Sequence, residues 1–107
     1  MDPVSQLRLT ATVAQRRIRE AAKDSANVVI TDHAKERMVQ RGIVIRDVLT
    51  VLRMGHVDAS PTPARVGEWK CTVTKRLASG GRTAGVVTVI AARSRLIVLT
   101  VEWEDGQ

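Results

Sequence analysis

The sequence is short of most residues that build recognisable sites. It has one cysteine, two histidines, two tryptophans and three prolines, and neither tyrosine nor phenylalanine. A lone Cys71 excludes an internal disulfide and any multi-cysteine metal centre. The histidines, His33 and His56, are too far apart to show metal-ligand spacing, so neither a metal nor another cofactor is expected. Aromatics make up 2% of the chain, which argues against a platform that stacks single-stranded bases. No apolar run approaches the roughly 20 residues that span a bilayer. The start, Met1-Asp2-Pro3-Val4, does not read as a charged-then-apolar leader. Together these absences point to a cytoplasmic protein with no membrane partner.

What is present is a globular composition with a basic bias. The 107 residues are 44% hydrophobic and 26% charged, which suits one folded domain over 1–107. Lys plus Arg is 17 against 11 for Asp plus Glu, a net charge of +6, and 13 of the cations are Arg. Guanidinium groups bind phosphate bidentately, so the balance suits a nucleic-acid partner. A codon usage that favours Arg over Lys would give the same count. The charge is spread along the chain: residues 1–27, 28–55 and 56–107 each carry a net +2.

Periodicity gives the order of elements. Val4, Leu7, Ala11, Ala14, Ile18 and Ala21 form one stripe at helical spacing, predicting a helix over 3–23 with Asp2 as cap and Pro3 in the first turn. Val28–Ile30 is a short apolar stretch. A second helix is expected over about 32–41, capped by Thr31 or Asp32 and stopped by Gly42. A third is expected over about 45–54, closed by Gly55, with Val44 where a capping Ser or Thr would be better. Beyond Gly55 the period falls to two. Residues 68–76 alternate, 86–92 read as a strand buried on both faces, and 96–103 alternate with Ile97, Leu99, Val101 and Trp103 on one face. Helices first and an antiparallel β-meander after gives an α+β fold, with the N-terminal helices packed on a C-terminal sheet.

His33, Arg37 and Arg41 stand at i, i+4 and i+8, which makes one ridge of the second helix. A helix N-terminus disfavours imidazolium, so His33 could serve as a general base. Two guanidiniums on the same ridge could hold a phosphate and stabilise an anionic transition state. These are the groups needed for RNA cleavage by 2′-hydroxyl attack. The plainer reading is a solvated helix face. Lys75 and Arg76 at a strand end, with Arg82 in the following hairpin, are further candidates for nucleic-acid contacts.

The run Asp32-His33-Ala34-x-x-Arg37-Met38-x-x-Arg41-Gly42-Ile43, followed by Asp47-Val48-x-x-Val51-Leu52-x-x-Gly55, resembles the bacterial domain-of-unknown-function 4258 family over about residues 30–103. That family is grouped with the RelE/BrnT-like and barnase-like fold of toxin ribonucleases. The resemblance implies a small metal-independent ribonuclease of a toxin–antitoxin type. His33 would be its base or acid, Arg37 and Arg41 would hold the scissile phosphate, and Lys75, Arg76 and Arg82 would contact the backbone. RNA, with or without a ribosome, would be its substrate, and an acidic antitoxin its neutralising partner. The alternative is a non-catalytic module of a mobile-element or host-defence system that binds nucleic acid or an acidic protein through the same face. The helix at 3–23 lies outside the resemblance.

Overall fold

The computed structural model describes residues 8–78 and 80–104. The first helix, α1, spans Ala11–Ala22. It starts later than the stripe predicts, because Thr10 sits in extended backbone and its side-chain oxygen accepts from Val13 N at 3.2 Å. Residues 8–10 are therefore not helical, and the expected cap and first turn at residues 2–7 lie outside the described residues. The buried face of α1 is Ala14, Ile18, Ala21 and Ala22. A short 3-10 turn leads into β1 (Val28–Ile30).

Helix α2 spans Asp32–Arg41 and α3 spans Ile45–Met54. Gly42 ends α2 in the left-handed conformation at φ 65°, where glycine carries no Cβ penalty. Ile43 N then bonds back to Met38 O at 2.9 Å, completing a Schellman-type stop. Val44 offers α3 no side-chain acceptor, but the Asp47 carboxylate accepts from Val44 N at 3.1 Å. Half a capping box thus replaces the missing Ser or Thr.

Strands β2 (Thr62–Pro63), β3 (Trp69–Arg76), β4 (Thr83–Ile90) and β5 (Leu96–Trp103) follow. The sheet order is β1-β5-β4-β3-β2. The four later strands pair antiparallel, but β1 lies parallel to β5. The sheet is therefore mixed: β2 to β5 form an antiparallel meander, and β1, which precedes α2, is added to its edge in parallel. Among the described residues the fold is α+β with three α-helices and a five-stranded sheet. The apolar stretch at 28–30 becomes an edge strand because it follows α1 directly back to the free side of β5.

One core forms between the helices and one sheet face. Ile18, Ala34, Val48, Val51 and Leu52 from the helices join Cys71, Val73, Val86, Leu96, Val98 and Val101 from the sheet. Gly55 ends α3 where a Cβ would stand 2.5 Å from Val51 O and 2.7 Å from Thr74 O, so only glycine fits. Two arginines tie α1 to α3. Arg19 donates to Gly55 O at 2.8 Å, and Arg53 donates to Ala22 O at 2.7 Å. Each helix thus supplies a cation to the carbonyl-rich end of the other.

A bulge sets the phase of β5. Val87 pairs with Thr100 but Thr88 pairs with Val98, so Leu99 is an extra residue. Strict alternation would put Ile97, Leu99, Val101 and Trp103 together. Instead Leu96, Val98 and Val101 are buried, while Ile97 and Leu99 are half-buried. Met38 and Leu49, expected in the core, are also half-buried.

Candidate nucleic-acid interface

The described site begins at Thr31. Its hydroxyl oxygen accepts from Ala34 N at 3.2 Å, capping α2. The same hydroxyl donates to Val98 O at 2.8 Å, and Thr31 N bonds to Val98 O at 3.2 Å. One residue therefore starts the helix and fixes it to the bulged part of β5. The other end of α2 is held as well, because Trp103 Nε1 donates to Arg41 O at 2.9 Å. The bulge makes this contact available. In register, Trp103 stands opposite Ala84 on the core face, beside α2.

Along α2 the ridge exists as spaced. Arg37 Nε approaches His33 Nε2 at 3.4 Å, so the imidazole uses that lone pair as acceptor. Arg37 Nη1 donates to Gln40 Oε1 at 2.8 Å. His33 is exposed, and Arg37 and Arg41 are half-buried. Among the described residues neither Arg37 nor Arg41 has a carboxylate partner.

From the other side comes the β3–β4 hairpin. The Arg82 guanidinium lies over the Trp103 ring, 4.1 Å from its centroid. A cation at that distance is held by the ring's negative face. Arg37, Gln40, Arg41, Arg82 and Trp103 line one open groove of about 460 Å³. Three guanidiniums in one groove, with no acidic side chain among the described residues that line it, suit an anionic ligand.

The sequence candidates divide accordingly. Arg37 and Arg41 share the groove with Arg82, and His33 stands one turn away beyond Arg37. Lys75 and Arg76 do not line it. They belong to a separate depression of about 730 Å³ with Thr50, Met54, Leu77 and Gly81. Sequence reasoning misses Gln40 and Trp103. Gln40 carries the 3-spacing signal from Arg37, whereas the position of Trp103 depends on the bulge. The aromatic that composition argues against as a platform is one of only two in the chain, and it is in the groove.

Other groups have different surroundings. Burial pushes the Cys71 thiol up to about 11, which keeps it protonated and unreactive. The Glu104 carboxyl is pushed above its ordinary value, first by burial, then by the negative charge of Glu102 and by the hydrogen bond its protonated form shares with Glu102. Among the described residues no cluster of His, Cys, Asp and Glu could hold a metal ion, and no helix is long and apolar enough to cross a membrane. A further depression of about 590 Å³ lies at the opposite end of the sheet, lined partly by Arg17, Asn27, Trp69 and Arg93.

The family described as domain of unknown function, DUF4258, matches residues 30–103. The chain belongs to this family. The DUF4258 region starts at Ile30, the last residue of β1, and ends at Trp103, so it takes in every lining residue of the groove. Helix α1 precedes it, which makes the α1–α3 arginine exchange a junction between the DUF4258 region and the segment before it. No curated protein matches the chain. No solved structure matches it either.

Proposed function

We propose that the groove between α2 and the β3–β4 hairpin binds single-stranded RNA by its phosphates, and that His33 at its edge is the base of a metal-independent cleavage. The observation that carries the binding half is the meeting of Arg37, Arg41 and Arg82, drawn from two distant segments, in one groove. The cleavage half rests on His33 standing one turn from Arg37 on the same ridge. A neutral imidazole would take the 2′-hydroxyl proton as that oxygen attacks phosphorus, the guanidiniums would stabilise the charge on the phosphorane oxygens, and the 5′-oxygen would leave with a proton from the imidazolium or water, giving a 2′,3′-cyclic phosphate. This is the chemistry of the RelE/barnase-like ribonucleases, and an acidic neutralising protein would cover the same groove. Lys75 and Arg76, in their own depression outside the groove, would contact the ribosome rather than an oligoribonucleotide held in the groove.

A second reading is non-catalytic RNA binding. It is favoured by the exposure of His33 and by its absence from the groove lining. Cleavage of a labelled RNA, with and without ribosomes, separates the two. With catalysis, His33→Ala lowers the rate roughly 10²–10⁴-fold and leaves affinity and melting temperature nearly unchanged. No cleavage by the wild type, with affinity lost in Arg37→Ala and Arg41→Ala, leaves the binding reading alone.

A further inference from the structure

The depression of about 590 Å³ at the far end of the sheet is built from two parts of the chain. Arg17, Glu20 and Ala21 come from α1, which precedes the DUF4258 region, whereas Trp69, Ile90, Arg93 and Ser94 lie within it. The concavity therefore exists only because α1 packs beside the β4–β5 turn. Trp69 stands opposite Ile90 and Trp103 opposite Ala84, six positions away along β4. At about 3.3 Å per residue, the depression and the α2 groove are roughly 20 Å apart. The lining combines unpaired cations with an apolar wall. Among the described residues the Arg17 and Arg93 guanidiniums have no hydrogen bond or ion pair. Glu20, the one carboxylate among the described lining residues, is paired with Lys23 at 2.8 Å. Trp69 is half-buried against the core, and its Nε1–H has no partner among the described residues. No buried side-chain nitrogen or oxygen among them lacks a partner, so that N–H is open to solvent. Arg93 and Ser94 hold φ of 61° and 60°, and backbone strain of this kind clusters at ligand sites.

We infer that this depression binds a phosphorylated nucleoside, with its phosphate held by Arg17 and Arg93 and its nucleoside against the wall of Trp69, Ala21 and Ile90. Two unpaired guanidiniums suit the several oxygens of one phosphate. Inorganic phosphate alone would leave the apolar wall in water. A hydrocarbon tail would cover the wall but leave the Trp69 N–H without an acceptor. A nucleoside supplies both a flat apolar face and oxygen acceptors. The source is a free mononucleotide or the 5′-phosphorylated end of an RNA, which present the same chemistry. None of these residues lines the α2 groove, so the site is independent of the RNA reading given there.

The test follows the indole N–H signals of the isotope-labelled full chain by NMR. Only Trp69 and Trp103 give such signals, and Trp69→Phe assigns them by the loss of one. Uridine 5′-monophosphate, uridine, inorganic phosphate, and short RNAs with a 5′-phosphate or a 5′-hydroxyl are titrated separately. The monophosphate or the 5′-phosphorylated RNA should move the Trp69 signal. Its affinity should exceed that of uridine, phosphate or 5′-hydroxyl RNA by about tenfold or more, the range of a charge-assisted hydrogen bond. Arg17→Ala and Arg93→Asn should each weaken it about tenfold, and Arg41→Ala should leave it unchanged, with thermal melting as the check on folding. Asn is chosen at 93 because it tolerates the left-handed backbone. A response to the monophosphate identifies a free nucleotide as sufficient, and a response to the 5′-phosphorylated RNA alone identifies an RNA end. No movement of the Trp69 signal with either at millimolar concentration, or movement that both arginine variants leave intact, overturns the site. Uridine or inorganic phosphate binding as tightly as the monophosphate overturns the ligand class. Movement of the Trp103 signal alone also overturns the site and leaves RNA binding in the α2 groove standing.

Discussion

Arg93 and Ser94 occupy backbone that L-residues other than Asn and Asp rarely take, with φ of 61° and 60°. Together with the Arg95 N to Ala92 O bond they make a two-residue turn of the primed type, whose twist suits the β4–β5 hairpin. The usual residues there are Asn-Gly, so this turn stores backbone strain of about 1–2 kcal/mol per residue. Replacing both, Arg93→Asn with Ser94→Gly, should raise stability by about 1 kcal/mol, read as a higher urea midpoint with the same slope. A lower midpoint would show that these side chains stabilise the turn by contacts that outweigh the strain. Cys71 gives a pH signature. Its folded-state value, about 11, lies above its ordinary 9.0. Stability is therefore intact below about pH 9 and is lost as pH rises toward about 11, by roughly 2–3 kcal/mol in all. The chain has no tyrosine to add phenol titration to that limb. Cys71→Ala should flatten the alkaline part of a melting-temperature profile. An unchanged profile would assign the loss to other groups.

Among the elements, β5 shows how one inserted residue redistributes a core. Leu96 is fully buried, whereas Leu99, at the bulge, is only half-buried. Leu96→Ala should cost about 2–5 kcal/mol and Leu99→Ala clearly less, measured by denaturant midpoints. The reverse order would mean that the strand alternates without interruption in solution. The same bulge explains what the sequence could and could not supply. Helices α2 and α3 are legible almost to the residue, because Thr31, Gly42 and Gly55 mark their ends and apolar spacing fills their interiors. Strand β3 is equally legible from Trp69, Cys71 and Val73. The start of α1 is not: the apolar stripe with Asp2-Pro3 places it at residue 3, whereas Thr10 caps a helix that begins at Ala11. The pairing of Val28–Ile30 with β5 is non-local and leaves no local mark.

For the whole molecule, the site is half visible in sequence and half topological. His33, Arg37 and Arg41 follow from helix spacing alone. Arg82 and Trp103 are brought to them by a hairpin and a strand end more than 40 positions along the chain, through a register that only the folded sheet defines. Part of the arginine surplus also has structural work: Arg19 and Arg53 hold helix ends, so net charge overstates what is free for a ligand.

The central claim is that Arg41 and its neighbours hold RNA phosphates, and Arg41 tests it most cleanly because its guanidinium has no hydrogen bond or ion pair among the described residues. The decisive measurement is the dependence of oligoribonucleotide affinity on potassium chloride for wild type, Arg41→Ala and Arg76→Ala. If Arg41 contacts one phosphate, its loss should flatten the log–log slope by about 0.7, while Arg76→Ala, outside the groove, leaves the slope as it was. A slope unchanged in Arg41→Ala, or flattened by Arg76→Ala alone, would contradict the assignment of the groove.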